Sequence, residues 1–244
     1  MNLVIDIGNS RIKIAVFDQQ NKIVFFQIAK KDNWLEVLTK ITHHFSIEYV
    51  GVSQVGKHIE TLNDFLQKKK LPYMYVHSGL KLPFDIAYET PQTLGADRIA
   101  LASGALARQQ NTNQLIIDAG TCVTYDFITD DNVYQGGAIS PGLKLRYKSL
   151  NDYTEKLPML NTAVEMIPLI GKNTNMSIHS GILHGLANEI EGIIVKYKLK
   201  FDNLTVYLTG GDQKLLERYI KNKIFVNSNF LLLEGVNHLL NLNK

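Results

Sequence analysis

Cysteine is almost missing from this chain: Cys122 is the single one in 244 residues. A lone thiol cannot close an internal disulfide. No second cysteine or neighbouring histidine gives it zinc-site spacing, so a secreted disulfide scaffold and a zinc module are both excluded. Proline is scarce at six residues and glycine stands at 17, which rules out collagen-like and low-complexity architectures. No stretch approaches the ~18 apolar residues of a membrane-crossing helix. The opening residues 1–6 put a carboxylate, Asp6, where a secretory leader keeps an unbroken apolar core, so a cytoplasmic location is expected. Charge of one sign is lacking as well, with 26 basic against 23 acidic residues and a formal net charge of +3. Lys68, Lys69 and Lys70 form a basic cluster, read as a solvated helix end. No nucleic-acid footprint is expected, and small anions are left as partners.

What is present is core material. Hydrophobic residues make up 45% of the chain, enough for one large domain or two compact ones. Apolar runs at residues 3–5 and 12–17 flank the turn Asp6-Ile7-Gly8-Asn9-Ser10, and a third strand is expected over 23–28. A helix over 34–45, a strand over 49–53, a helix over 57–70 and a strand over 73–77 follow, an alternation that predicts a mixed α/β layer. A longer helix is expected over 95–110, then a linker at Asn111-Thr112-Asn113. There the pattern restarts: a strand over 115–117, the turn Asp118-Ala119-Gly120-Thr121, and strands over 123–128 and 133–139. Laying residues 4–18 on 116–130 pairs Asp6 with Asp118, Gly8 with Gly120 and Asp18 with Asp130 at a constant offset of 112 (118 less 6), which reads as a duplicated half. The remainder predicts helices over 177–198 and 213–221, a strand over 204–208 and a closing helix over 231–240.

A turn of the form Asp-x-Gly-Asn-Ser aims backbone N–H groups and small polar side chains at one point, where a phosphate can sit. Asp6 would hold Mg²⁺ or its waters, and Lys13 would reach a phosphate as a point charge. Alone, such a turn is equally a hairpin whose Asp and Gly serve backbone geometry. The second turn at Asp118 favours the phosphate reading, because two such turns facing each other would clamp a nucleotide triphosphate. Thr209-Gly210-Gly211-Asp212 is either a close-approach site for a flat ligand or a strand-to-helix turn with its cap. Gly95-Ala96-Asp97-Arg98 opens a helix, where Asp usually serves the dipole. In a kinase, Asp97 would accept the proton of an attacking hydroxyl while Arg98 holds an anionic group. No Walker G-x-x-x-x-G-K-[ST], no protein-kinase H-R-D or D-F-G and no Gly-x-Ser-x-Gly occur.

Six segments in order, VIDIGNSRIKIAVF, YETPQTLGADR, IIDAGTCVTYDFI, GGAISPGL, GKNTNMSIHSG and LTGGD, resemble type III pantothenate kinase, a family of the acetate and sugar kinase, Hsp70 and actin superfamily. The resemblance covers nearly the whole chain. It implies an α/β fold of duplicated ribonuclease-H-like (actin-like ATPase) domains with mixed sheets flanked by helices, residues 1–112 forming one half and 113–244 the other. The implied activity is ATP-dependent phosphorylation of pantothenate to 4′-phosphopantothenate, the first step of coenzyme A biosynthesis. Asp6, Gly8, Asn9, Ser10, Lys13 and Thr121 then resemble ATP contacts, with Mg²⁺ at Asp6 directly or through water. Asp118 resembles the ligand of a monovalent cation, K⁺ or NH₄⁺. Tyr88, Gly95, Asp97 and Arg98 resemble pantothenate contacts, with Asp97 as proton acceptor, and Thr174 a contact supplied across a homodimer. Neither a nucleic acid nor a membrane is an expected partner. Ser10 stands where the family most often has Thr, and Cys122-Val123 stands where small residues are usual. The alternatives are a non-catalytic accessory transcription regulator of the family and another small-molecule kinase of the superfamily.

Overall fold

The computed structural model describes the whole chain except residues 10, 31, 57–59, 163–165 and 222–224. In chain order its elements are β1 Asn2–Ile7, β2 Ile12–Phe17, β3 Ile23–Ala29, α1 Trp34–His44, β4 Tyr49–Gln54, α2 Glu60–Lys68, β5 Tyr73–Tyr75, β6 Asp85–Ile86 and α3 Ala96–Arg108. They continue with β7 Gln114–Ala119, β8 Cys122–Ile128, β9 Val133–Pro141, α4 Leu143–Asp152, α5 Thr174–Lys200, β10 Thr205–Thr209, α6 Gln213–Leu216, β11 Val226–Asn227 and α7 Leu231–Asn243. These group into two compact units. Unit 1 holds Met1–Gln110, Asn132–Tyr134 and Phe230–Lys244, and unit 2 holds Asn111–Asp131 and Gln135–Asn229.

Unit 1 is a mixed sheet in the order β3-β2-β1-β4-β5. β1 runs antiparallel to β2 and parallel to β4. Side chains alternate across a strand, so β1 divides its residues between two faces. Leu3, Ile5 and Ile7 enter a core with Trp34, Leu38 and Ile41 of α1 and Leu62 and Leu66 of α2. Asn2, Val4 and Asp6 therefore point the other way, toward α3 and α7. The Asn2 side chain confirms the register by donating to Asn237 Oδ1 of α7 at 2.7 Å. Glycine lets these two helices approach closely: a Cβ on Gly104 would overlap the Leu231 carbonyl oxygen, and one on Gly235 the Ala100 carbonyl oxygen. The short strand β6 pairs in parallel with the first residues of β9, Asp85 opposite Val133 and Ile86 opposite Tyr134, which ties 132–134 to unit 1.

Unit 2 repeats the plan. Its strands run β9-β8-β7-β10-β11 within a six-stranded sheet whose sixth member is β6 beside β9, with β7 antiparallel to β8 and parallel to β10. Helix α5 lays Ile178, Ile182, Leu186, Ile190 and Ile194 on Leu115, Ile117 and Leu208 of this sheet. That is a four-residue repeat on one helix face, and each such buried side chain stabilises the unit by about 1.5–3 kcal/mol.

Most expected elements are present. The helix expected over 213–221 is shorter, because α6 ends at Leu216 and i→i+3 bonds follow, from Arg218 N–H to Leu215 O at 3.1 Å and from Tyr219 N–H to Leu216 O at 2.9 Å. Tightening the chain there buries Leu216, Tyr219 and Ile220 together. Among the described residues no helix is long and apolar enough to cross a membrane.

Candidate active site

The first turn closes through Gly8 N–H donating to Arg11 O at 3.1 Å. Asp6, at the end of β1, is only 4% exposed and lies opposite Lys13, whose Nζ approaches its Oδ2 at 3.4 Å. Its neighbour on the other side, in register on β4, is the fully buried Ser53. Burial pushes the Asp6 carboxyl above its ordinary value. Lys13 opposes that shift, and the nearby charge of Asp97 adds to it. Alternation in β1 thus aims Asp6 at the first turn of α3, where Asp97 stands.

Asp97 folds back on its own helix start. Its Oδ1 accepts the Arg98 N–H at 2.9 Å, and a Cβ on Gly95 would sit 2.5 Å from that oxygen, so a side chain there would push the Asp97 carboxylate aside. A helix N-terminus favours an ionised carboxylate, so position on the helix alone leads one to expect Asp97 ionised and available but weakly basic. The structure corrects that: burial dominates and raises Asp97 above the ordinary 3.8, with the Arg98 N–H, the Arg98 charge and Lys13 only offsetting it. A carboxylate so placed is more basic than an exposed one.

Arg98 is buried to 6% exposure. Its guanidinium carbon lies 5.8 Å from the centre of the Tyr88 ring and 6.0 Å from that of Tyr134, close enough for cation–π attraction. The two rings are 6.3 Å apart, and Phe84 backs Tyr134 at 6.0 Å. Unit 1 alone therefore brings together Asp6, Gly8, Lys13, Tyr88, Gly95, Asp97 and Arg98, while Asn9 is exposed at the turn tip. Ser10 lies outside the described residues. Tyr134, Phe84 and Ser53 are additions that sequence reasoning missed. Tyr134 reaches the site through the β6–β9 pairing, for which a two-residue strand leaves no periodic signal.

Unit 2 holds Asp118, Thr121 and Thr174. The second turn is one residue shorter than the first. Its closing bond runs from Gly120 N–H to Cys122 O at 3.0 Å, and the residue opposite Asp118 is Thr124. Opposite Asp6 stands Lys13. The constant offset of 112 therefore holds through the glycines and slips by one residue beyond them. Two backbone segments press on this turn. A Cβ on Gly142 would overlap the Gly120 and Thr121 carbonyl oxygens, and one on Gly210, at φ 103°, would overlap Ala119. Gly142 N–H donates to Thr121 O at 3.1 Å and Asp212 N–H to Ala119 O at 3.0 Å. Thr174 is exposed in the first turn of α5, whose cap is Asn173, its Oδ1 accepting Met176 N–H at 2.9 Å.

Among the described residues no three His, Cys, Asp or Glu side chains converge as a metal cage. One buried carboxylate beside a phosphate-type turn still fits Mg²⁺, which takes one or two carboxylates and completes its shell with phosphate oxygens and water.

Solved structures share this architecture. The chain matches a ROK family glucokinase from Streptomyces griseus with a TM-score of 0.54 at 12% identity, covering 99% of this chain and 98% of that one. It matches a Campylobacter jejuni protein described as a Baf family transcriptional activator with a TM-score of 0.63 at 22% identity, over 98% and 97%. Likeness at such identities carries the fold alone, and that fold is the actin-like one of the ROK kinases. A narrower assignment comes from sequence: the family model described as type III pantothenate kinase matches residues 2–196. The chain is 46% identical to the type III pantothenate kinase of Christiangramia forsetii over 100% of this chain and 99% of that protein. It is 40% identical to that of Cytophaga hutchinsonii over 100% of both. The chain belongs to the type III pantothenate kinase family, phosphotransferases that phosphorylate pantothenate in coenzyme A biosynthesis, and that is its activity.

Proposed function

We propose how the residues divide this reaction. Asp97 accepts the proton of the primary hydroxyl of pantothenate as the γ-phosphoryl group of ATP is transferred to it. Arg98, steadied by Tyr88 and Tyr134, holds the anionic end of the substrate, and Gly95 gives the Asp97 carboxylate its room. Gly8, Asn9, Ser10 and Lys13 of the first turn, with Asp6 as Mg²⁺ ligand directly or through water, meet the ATP phosphates, and Thr121 adds a contact from the second turn. Asp118 takes K⁺ or NH₄⁺. The observation that supports this reading is that, inside unit 1, Asp97 lies near enough to feel the charges of Asp6 and Lys13 beside the first turn. Phosphoryl transfer depends on positioning and on charge stabilisation at the phosphoryl oxygens, which the Lys13 ammonium and the turn N–H groups supply. Mg²⁺, when bound, would neutralise charge on the phosphates. A general base contributes ~10²- to 10⁴-fold, about 3–5 kcal/mol of barrier.

The working form is read as a cytoplasmic homodimer in which Thr174 completes the partner's substrate site. Exposed apolar side chains cluster in sequence around Thr174: Met159, Met166, Leu169 at 70%, Ile170 at 76% and Met176. Such a run needs a cover. An ADP-release assay with pantothenate, against sugars and acetate, in K⁺, NH₄⁺ or Na⁺ buffers, tests the acceptor and the cation. Equal rates in Na⁺ alone would remove Asp118 from the cation role. Mixing Asp97→Asn with Thr174→Ala subunits tests the dimer. A shared site should restore about a quarter of wild-type turnover through the heterodimer, and no restoration would place Thr174 outside the partner's site.

A further inference from the structure

The Gly142 contact on the second turn is held from behind by a polar cluster of unit 2. Arg146, on the first turn of α4, donates through Nε to Pro141 O at 2.8 Å and through Nη2 to Ser140 Oγ at 3.0 Å, and the same Nη2 pairs with Glu189 Oε2 of α5. Tyr125 OH donates to the other Glu189 oxygen, Oε1, at 2.9 Å. Burial alone would raise the Glu189 carboxyl, but its bonds with Arg146, Ser140 and Tyr125 together bring it below the ordinary 4.5, so the pair stays charged. The guanidinium is used as a fork, one edge on the Pro141 carbonyl and one on Ser140 and the carboxylate. A lysine ammonium cannot reproduce that geometry.

We infer that Arg146 and Glu189 are positioning residues for the ATP site: they fix Ser140–Pro141–Gly142 so that Gly142 bears on the carbonyls of Gly120 and Thr121 and sets where the second turn meets the nucleotide. This rests on the reading of Thr121 as an ATP contact. Both side chains are spent on Pro141, Ser140, Tyr125 and each other, so their loss acts through the turn. The helix start depends on the same link, since Arg146 N–H donates to Gly142 O at 3.1 Å.

The test is steady-state kinetics on Arg146→Lys, Arg146→Met, Glu189→Gln and Thr121→Ala, with direct titration of a fluorescent ATP analogue and hydrogen exchange on the peptides spanning 118–124 and 138–146. Arg146→Met and Glu189→Gln should raise KM for ATP about five- to twentyfold, with KM for pantothenate within twofold. Exchange should quicken in the two named peptides and stay at wild-type levels in residues 114–117 of β7 and in β10. Arg146→Lys should keep the ion pair and lose the fork, raising KM for ATP by an intermediate amount. A Thr121→Ala defect in ATP binding with none in the Arg146 and Glu189 variants overturns the positioning role and leaves the ATP reading standing. No defect in any of the four overturns both. Faster exchange throughout unit 2, with all Michaelis constants shifted alike, would make the pair purely structural and also overturn the inference.

Discussion

The two units carry the same five-strand order and the same hairpin, yet their turns are not interchangeable. In unit 1 the carboxylate at the end of the first strand is buried and meets a lysine across the ladder. In unit 2 the corresponding carboxylate lies opposite a threonine, the turn is a residue shorter, and two glycines clamp its carbonyls. A single deletion in a hairpin changes which side chain stands across from the aspartate. On the proposed roles, that one slip would separate a turn with a built-in cation from one that takes an external cation.

The largest expected effect tests unit 1. Asp97→Asn should keep the fold and lower turnover ~10²- to 10⁴-fold; activity within threefold of wild type would remove Asp97 from the base role. Next comes the contrast between glycines at equivalent strand ends. Gly56 and Gly210 both have positive φ, 96° and 103°, but a Cβ meets open space at Gly56 and the Ala119 backbone at Gly210. Alanine at either should cost about 1–2 kcal/mol for the left-handed backbone, and Gly210→Ala a further ~1–3 kcal/mol for overpacking. Denaturant unfolding of the two variants checks this, and equal losses would deny the tighter clamp.

A third change tries to turn unit 2 into unit 1. Thr124→Lys places an ammonium opposite Asp118, as Lys13 stands opposite Asp6, and should make turnover insensitive to replacing K⁺ by Na⁺. Retained dependence would separate the cation site from Asp118. The smallest effect is on stability against pH. Because burial raises Asp97 above 3.8, the folded protein holds that proton more tightly than the unfolded chain. Stability from this group is full below 3.8 and falls as pH rises through the raised value. Asp97→Asn should therefore melt above wild type at pH 8, with the gain shrinking toward pH 5. A gain that grows on acidification would contradict the burial of this carboxyl.

Much of this was legible in the sequence because strand alternation and turn chemistry are local. The period of two in residues 2–7 already separates Leu3, Ile5 and Ile7 from Asp6, and Gly95 before Asp97 marks the helix start. What stayed hidden depends on long-range partners. Helix α4 buries only Leu143 and Tyr147, too sparse a stripe to give a helical period. Tyr134 joins Tyr88 and Arg98 through a two-residue strand. Arg146 and Glu189 are 43 positions apart and meet only because α4 and α5 pack. The raised carboxyl of Asp97 is not legible because position on a helix is visible in sequence and desolvation is not.

The close crossing of α3 and α7 at Gly104 and Gly235 has a consequence for biosynthesis. Unit 1 is made first but cannot cover Asn2, Val4 and Gly51 until residues 231–243 have emerged from the ribosome. Unit 2 draws its strands and helices almost entirely from the stretch synthesised in between, and can close while the first sheet still waits for its last helix. Asp6 and Asp97 therefore belong to the unit whose sheet is covered only after the residues of unit 2 have been made.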